Sequence, residues 1–235
     1  MNTKNNQVIV MGDIHGEWGR ISEFVNKRHP KLILQCGDFG YFPRLDRQEQ
    51  AKYASRYKHF KPRSPGPKMQ DTPLHFCPGN HEDFESLNTR ETDELWPNVF
   101  YQPRGSVITL PDGRTVLFMG GAKSIDKERR TQGLDWFPDE EISMKDVEVL
   151  PDKVDIVISH TCPKEFPLKM RTGYGDKLND WSQRALSHVL QVCRPSLWYF
   201  GHFHNYQTGY TMGCRWTMMD MAFGGAKWWE VLREK

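Results

Sequence analysis

No Cys-x-x-Cys pair occurs in this chain, and its five cysteines (Cys36, Cys77, Cys162, Cys193 and Cys214) are odd in number and widely spaced. That excludes a disulfide framework and a thiolate zinc site, and it assigns the thiols to small core positions. Long apolar runs are missing as well. The first, Val8 to Met11, is too short for the core of a secretory signal, and none approaches the roughly 20 apolar residues that span a bilayer, so the expected location is cytoplasmic. Net charge is almost absent: 32 Lys plus Arg face 30 Asp plus Glu, a formal +2. No overall field draws the chain to nucleic acid or to an anionic membrane, so an anionic substrate has to be held locally. With 37% hydrophobic and 26% charged residues, the composition suits one globular domain over residues 1–235.

What the chain does have is a series of short apolar runs, each leading into a Gly, Asp, His or Asn cluster: QVIVMGDIHGE, KLILQCGDFG, LHFCPGNHED, VDIVISHTCP and LWYFGHFHN. Buried strands read this way when their ends deliver polar side chains to a shared rim. Helical patterns lie between them, over residues 18–27, 46–59 and 181–193. The last sets Trp181, Ala185, Leu186, Val189 and Leu190 on one face. Two β-rich runs flank Pro111-Asp112-Gly113 as a hairpin, and residues 206–232 read as successive strands with Gly-containing turns. The Pro-rich stretch 61–73 is a surface loop. The predicted fold is α/β with antiparallel additions, two facing mixed sheets with helices outside.

The polar groups at the run ends are Asp13 and His15, Asp38, Asn80 and His81, His160, and finally His202 and His204. In extended backbone, residues two apart project to one side, so His202 and His204 are expected to face one centre, as are Asp13 and His15. Glycines at 12, 16, 37, 40, 79 and 201 suit sharp turns and close backbone approach around a small ion. One His-x-His is weak evidence for ligation. Five such clusters at five strand ends are not explained by independent structural needs.

The series Gly12-Asp13-Ile14-His15-Gly16, Gly37-Asp38, Gly79-Asn80-His81-Glu82, Ser159-His160 and Gly201-His202-Phe203-His204 resembles the calcineurin-like metallophosphoesterases, in family order and over nearly the whole chain. The resemblance implies a four-layer αββα sandwich with a binuclear metal site at the strand ends. It implies Asp13, His15 and His204 as ligands of one metal, Asn80, His160 and His202 as ligands of the other, and Asp38 as the bridge. Oxygen and nitrogen donors without thiolate suit Mn²⁺, taken as the leading candidate, and also Fe, Zn²⁺, Co²⁺ or Ni²⁺. Such a pair generates hydroxide for attack on phosphorus. In the family the histidine equivalent to His81 protonates the leaving group or stabilises the transition state, work suited to an imidazole near neutral pKa. Asp38, Asn80 and His81 are therefore the expected catalytic set, with Glu82 supporting the loop.

Departures from the family narrow the substrate. Protein phosphatases of this superfamily continue Gly-Asp with Tyr-Val-Asp-Arg-Gly, whereas this chain reads Gly37-Asp38-Phe39-Gly40-Tyr41-Phe42-Pro43-Arg44, without the aspartate that orients the catalytic histidine. Arg44 is expected on the surface. Residues 120–143 resemble a segment of small bacterial and phage phosphoesterases; within it Lys123, Arg129 and Arg130 are candidates for a substrate anion, and Trp136 and Phe137 for base stacking or packing. Lys164, Lys169 and Arg171 follow His160 in a stretch expected to wall the cleft. The leading expectation is a phosphodiesterase or phosphatase for small phosphoesters, nucleotides or cyclic nucleotides included. The alternatives are a protein phosphatase, a nuclease, or a non-catalytic binding module on the same scaffold.

Overall fold

A computed structural model describes residues 6–44, 66–169 and 179–234 of the chain. The expected helix over 46–59, the first part of the Pro-rich loop and Arg171 lie outside the described residues. Twelve strands form two six-stranded sheets among the described residues. The first sheet contains β1 (Val8–Met11), β2 (Leu32–Gln35), β3 (Leu74–Phe76), β4 (Glu94–Trp96), β5 (Val99–Tyr101) and β12 (Trp229–Val231), in the order β12-β1-β2-β3-β5-β4. The second contains β6 (Val107–Thr109), β7 (Thr115–Met119), β8 (Ile156–Ser159), β9 (Leu197–Phe200), β10 (Gln207–Thr211) and β11 (Cys214–Met218), in the order β10-β11-β9-β8-β7-β6.

Side-chain alternation divides each central strand between two cores. Val10 points to the same inter-sheet core as Val116, Phe118, Ile156, Ile158 and Tyr199, while its neighbours Ile9 and Met11 join Ile21, Phe24 and Val25 of helix α1 (Trp18–Arg28) on the other side. In the second sheet Leu117, Val157, Trp198 and Phe200 turn outward to Ala185, Leu186, Val189 and Leu190 of the helix over Trp181–Cys193. This produces the four layers, helix, sheet, sheet, helix, because strands buried on both faces need apolar residues at every position. At about 25 cal/mol per Å² of apolar area, these contacts are the main force holding the layers together. All five cysteines are buried.

The hairpin at Pro111-Asp112-Gly113 forms between β6 and β7, with Thr109 opposite Thr115. The run over 206–232 divides: β10 and β11 stay in the second sheet, while β12 crosses to pair antiparallel with β1, Val10 opposite Glu230. β4 and β5 pair across Pro97-Asn98, with Asn98 at φ 64°, a hairpin the apolar pattern does not announce. A short helix, α2 (Phe84–Asn88), follows the GNHE stretch with Asp83 as its cap, and α3 occupies the predicted Trp181–Cys193. One detail of α3 differs. Trp181 is 62% exposed, since the first helical residue lies outside the packed turns, and Arg184 stacks over its ring at 5.1 Å. Among the described residues no helix is long and apolar enough to cross a membrane.

Candidate metal centre

Parallel strands β1, β2 and β3 run side by side, as do β8 and β9, so the turns leaving their C-terminal ends meet at one edge of the sandwich. Asp13 and His15 follow β1, Asp38 follows β2, Asn80 and His81 follow β3, His160 follows β8, and His202 and His204 follow β9. Extended backbone does not do the aiming, contrary to the two-residue spacing argument. His15 (φ 50°), Asp38 (53°), His202 (69°) and His204 (48°) all sit in the left-handed region. Each such residue costs about 1–3 kcal/mol and persists only where the surroundings enforce it. The chain bends sharply to bring side chains inward, and the neighbouring glycines make room: a Cβ on Gly79 would stand 2.1 Å from Asp38 Oδ1, and one on Gly201 1.9 Å from Asp13 Oδ1.

Two donor sets result. In the first, one ligand atom each from Asp13, His15, Asp38 and His204 lie within 4.8 Å of one another. His204 Nε2 is 3.0 Å from Asp13 Oδ2 and 3.1 Å from His15 Nε2, which is 3.6 Å from Asp38 Oδ2. In the second, His160 Nε2 lies 3.2 Å from Asp38 Oδ1 and 3.1 Å from Asn80 Oδ1. His202 stands edge-on to His160 with ring centroids 4.9 Å apart, and its backbone N–H donates to Asp13 at 3.0 Å. All seven expected ligands are thus gathered, with the two oxygens of Asp38 shared between the sets.

The electrostatics of the cluster fit cations. Asp13 and Asp38 are 0% and 1% exposed, and two carboxylates out of water each cost several kcal/mol unless compensated. Burial works against their charge, but the surrounding imidazoles outweigh it and hold Asp13 below the usual carboxylate value and Asp38 well below. The compensation comes from two neighbouring histidines whose hold on a proton is strengthened. Burial opposes charge on His160, yet Asp38 and Asp13 outweigh it and push it up to about 10; His204 is raised in the same way by its bond to Asp13. His15 and His202 stay neutral, His202 pushed down to about 3 by burial and by charged His160. His160 Nδ1 donates to Cys36 O at 2.8 Å, so its labile proton is on Nε2, between Asn80 and Asp38. A divalent cation there replaces one proton with two charges among acceptor atoms.

A sequence profile of the calcineurin-like phosphoesterase family matches residues 7–206. The chain belongs to the calcineurin-like phosphoesterases. That family is one of divalent-metal-dependent phosphoesterases. The chain is 25% identical over 227 residues to a lariat debranching enzyme from Gallus gallus, a match covering 84% of this chain and 42% of the relative, so the chain spans well under half the length of that protein. Among solved structures it is similar to a phosphopantetheinyl hydrolase from Mycobacterium tuberculosis, with a TM-score of 0.54 at 13% identity over 99% of this chain and 97% of the other. That likeness is one of fold.

Around the donors, His81 Nε2 lies 2.9 Å from Arg130 Nη2. Arginine only donates, so Nε2 carries the lone pair and the ring proton is on Nδ1. Burial, then the Arg130 charge, hold His81 well below the ordinary imidazole value despite the pull of Asp38, so it is neutral rather than near its midpoint at pH 7. Of the three cations proposed in 120–143, Arg130 is the one at the site, with a side chain 3% exposed and tied to Asp126 at 2.7 Å; Arg129 is exposed. Arg44 is a structural residue: it grips Asp83 through both Nε and Nη2 at 2.6 Å and reaches Glu85. Phe137 is a buried anchor before Pro138, and the Trp136 indole donates to Glu140. Lys164 and Lys169 are exposed, the latter joined through its backbone to Gln207. Glu82 is buried and accepts from Gly40 N and Gly79 N, tying two ligand loops together. Ser124 and Glu140, which touch the site through Asn80, have no motif of their own and are invisible in the sequence.

Proposed function

We propose that this chain is a binuclear metal-dependent phosphodiesterase acting on small or nucleotide-type phosphoesters, with Mn²⁺ the leading metal. Asp13, His15 and His204 would hold one cation, Asn80, His160 and His202 the other, and Asp38 both. The observation that carries the reading is the division of Asp38: Oδ1 faces His160 while Oδ2 faces His15. Bound there, two divalent cations supply Lewis acidity, lowering the pKa of a water and neutralising phosphoryl oxygens. The protein's own groups do the rest. His81, whose Nε2 lies 2.9 Å from Arg130 Nη2 and 4.0 Å from Asp38 Oδ2, would stand beside the phosphoryl or leaving group, with Arg130 fixing the ring.

A diester is favoured over a monoester by charge. A monoester dianion calls for further cationic contacts, and among the described residues the guanidiniums of Arg44 and Arg130 are already engaged, Arg44 with Asp83 and Glu85, Arg130 with Asp126 and Asn80 O. A diester monoanion asks for less. Purified protein given Mn²⁺ should hydrolyse bis-p-nitrophenyl phosphate faster than p-nitrophenyl phosphate, and Asp38→Ala and Asn80→Ala should abolish both. Equal rates in parent and variants would discard the mechanism; a preference for the monoester would discard the diester assignment alone.

A further inference from the structure

An asparagine amide has two ends of nearly equal size, and only its oxygen can ligate a cation; the NH₂ end turns hydrogens toward it. Asn80 is 5% exposed and is aligned with Oδ1 on His160. Its Nδ2 donates to Ser124 Oγ at 3.1 Å. Ser124 can accept in that direction because its own hydrogen is directed elsewhere, to Glu140 Oε2 at 2.8 Å. Glu140 is held in turn: its Oε1 accepts from Ser124 N at 2.6 Å and from the Trp136 indole at 3.0 Å, and its backbone carbonyl accepts from Arg104 at 3.0 Å. Ser124 and Glu140 are each 1% exposed, so water does not compete for these groups.

Every donor in this chain points away from the metal centre, from Asn80 to Ser124 to Glu140. Turning the amide over would break the sequence at both ends: NH₂ would meet His160, and the amide oxygen would meet a hydroxyl whose hydrogen is already bonded. An unsatisfied polar group in such a place costs about 1–3 kcal/mol. We infer that Ser124 and Glu140 are positioning residues, which fix the Asn80 carbonyl oxygen toward His160 and so determine whether the second cation position fills. This gives a role to the segment 120–143 beyond Arg130, and it rests on the binuclear reading of the site.

The test uses the full chain, stripped of metal and titrated with Mn²⁺, with bound metal measured after gel filtration and spin coupling of the pair read by electron paramagnetic resonance. The parent should take up two ions. In Ser124→Ala the second ion should bind roughly 10–100-fold more weakly, the range typical for loss of a group that orients a ligand, with the first ion unaffected. Glu140→Gln places an N–H where the serine hydrogen needs an acceptor and should act in the same direction; it also decides the matter if Ser124→Ala does not fold. Ser124→Thr, which keeps the hydroxyl, should restore the coupled signal. A parent that takes fewer than two ions overturns the binuclear reading. A parent with two ions, and folded variants that bind both with the parent's affinity, overturn the relay and leave that reading standing.

Discussion

Asp38 Oδ1 lies 3.2 Å from His160 Nε2, closer than Asp13, whose Oδ1 is 4.0 Å from that imidazole. The same carboxylate turns Oδ2 toward His15 at 3.6 Å, so one side chain serves both sets. Asp38→Asn keeps the shape while removing the charge and turning one acceptor oxygen into a donor NH₂. It should lower kcat/KM for bis-p-nitrophenyl phosphate by more than about 100-fold, beyond the roughly 10–100-fold typical of groups that merely support a ligand. Steady-state kinetics at saturating Mn²⁺ checks this.

Proton release gives a second expectation. Without metal, His160 titrates near 10 instead of 6.5. Between those values the native protein binds more protons than the unfolded chain, so this contribution to stability is complete below pH 6.5 and is lost as pH rises through 10. Metal binding has the opposite slope, because the proton on Nε2 must leave first. Apparent Mn²⁺ affinity should therefore climb between pH 6.5 and 10 while the metal-free melting temperature falls. Calorimetry in buffers of different ionisation heat should report about one proton released at pH 8 from this residue.

Gly79 tests the close approach. A methyl there would meet both Asp38 Oδ1 at 2.1 Å and the Asp38 backbone nitrogen at 2.3 Å, and backbone cannot move aside cheaply. Gly79→Ala should lose metal-dependent activity and lower stability by about 1–3 kcal/mol, the usual cost of overpacking. Denaturant melts of the metal-free protein separate the two effects.

Arg44 and Arg130 should behave differently. Arg44 is 40% exposed and ties buried Asp83, the cap of α2, so Arg44→Ala should cost about 1 kcal/mol of stability, allowing for solvent screening, with kcat unchanged. Arg130 faces His81, so Arg130→Ala should lower kcat through the freed imidazole and shift the pH–rate profile. Parallel melts and pH profiles of both variants check the contrast.

Much of this was open to sequence reasoning because its signals are local. β1, β2, β8 and β9 read as continuous apolar runs since both faces of each strand are covered. α3 was bounded by an apolar stripe, and its start carries the Asp180–Gln183 capping box. Other features had no local signal. Spacing along a strand predicts His202 and His204 on one side, but the turn is left-handed, a property of tertiary closure that spacing does not encode. The partner of His81 proved to be an arginine 49 residues away, and the support of Asn80 a serine 44 residues away, pairs that only the packed loops bring together.

The central claim is that seven dispersed side chains form one cage for two cations, and metal stoichiometry with the inter-metal distance tests it most directly. X-ray absorption and paramagnetic resonance on protein reconstituted with Mn²⁺ should find two ions per chain, about 3.5–4 Å apart and spin-coupled. Asp38→Ala should uncouple them. A single ion per chain, or two ions whose coupling survives that substitution, would contradict the account.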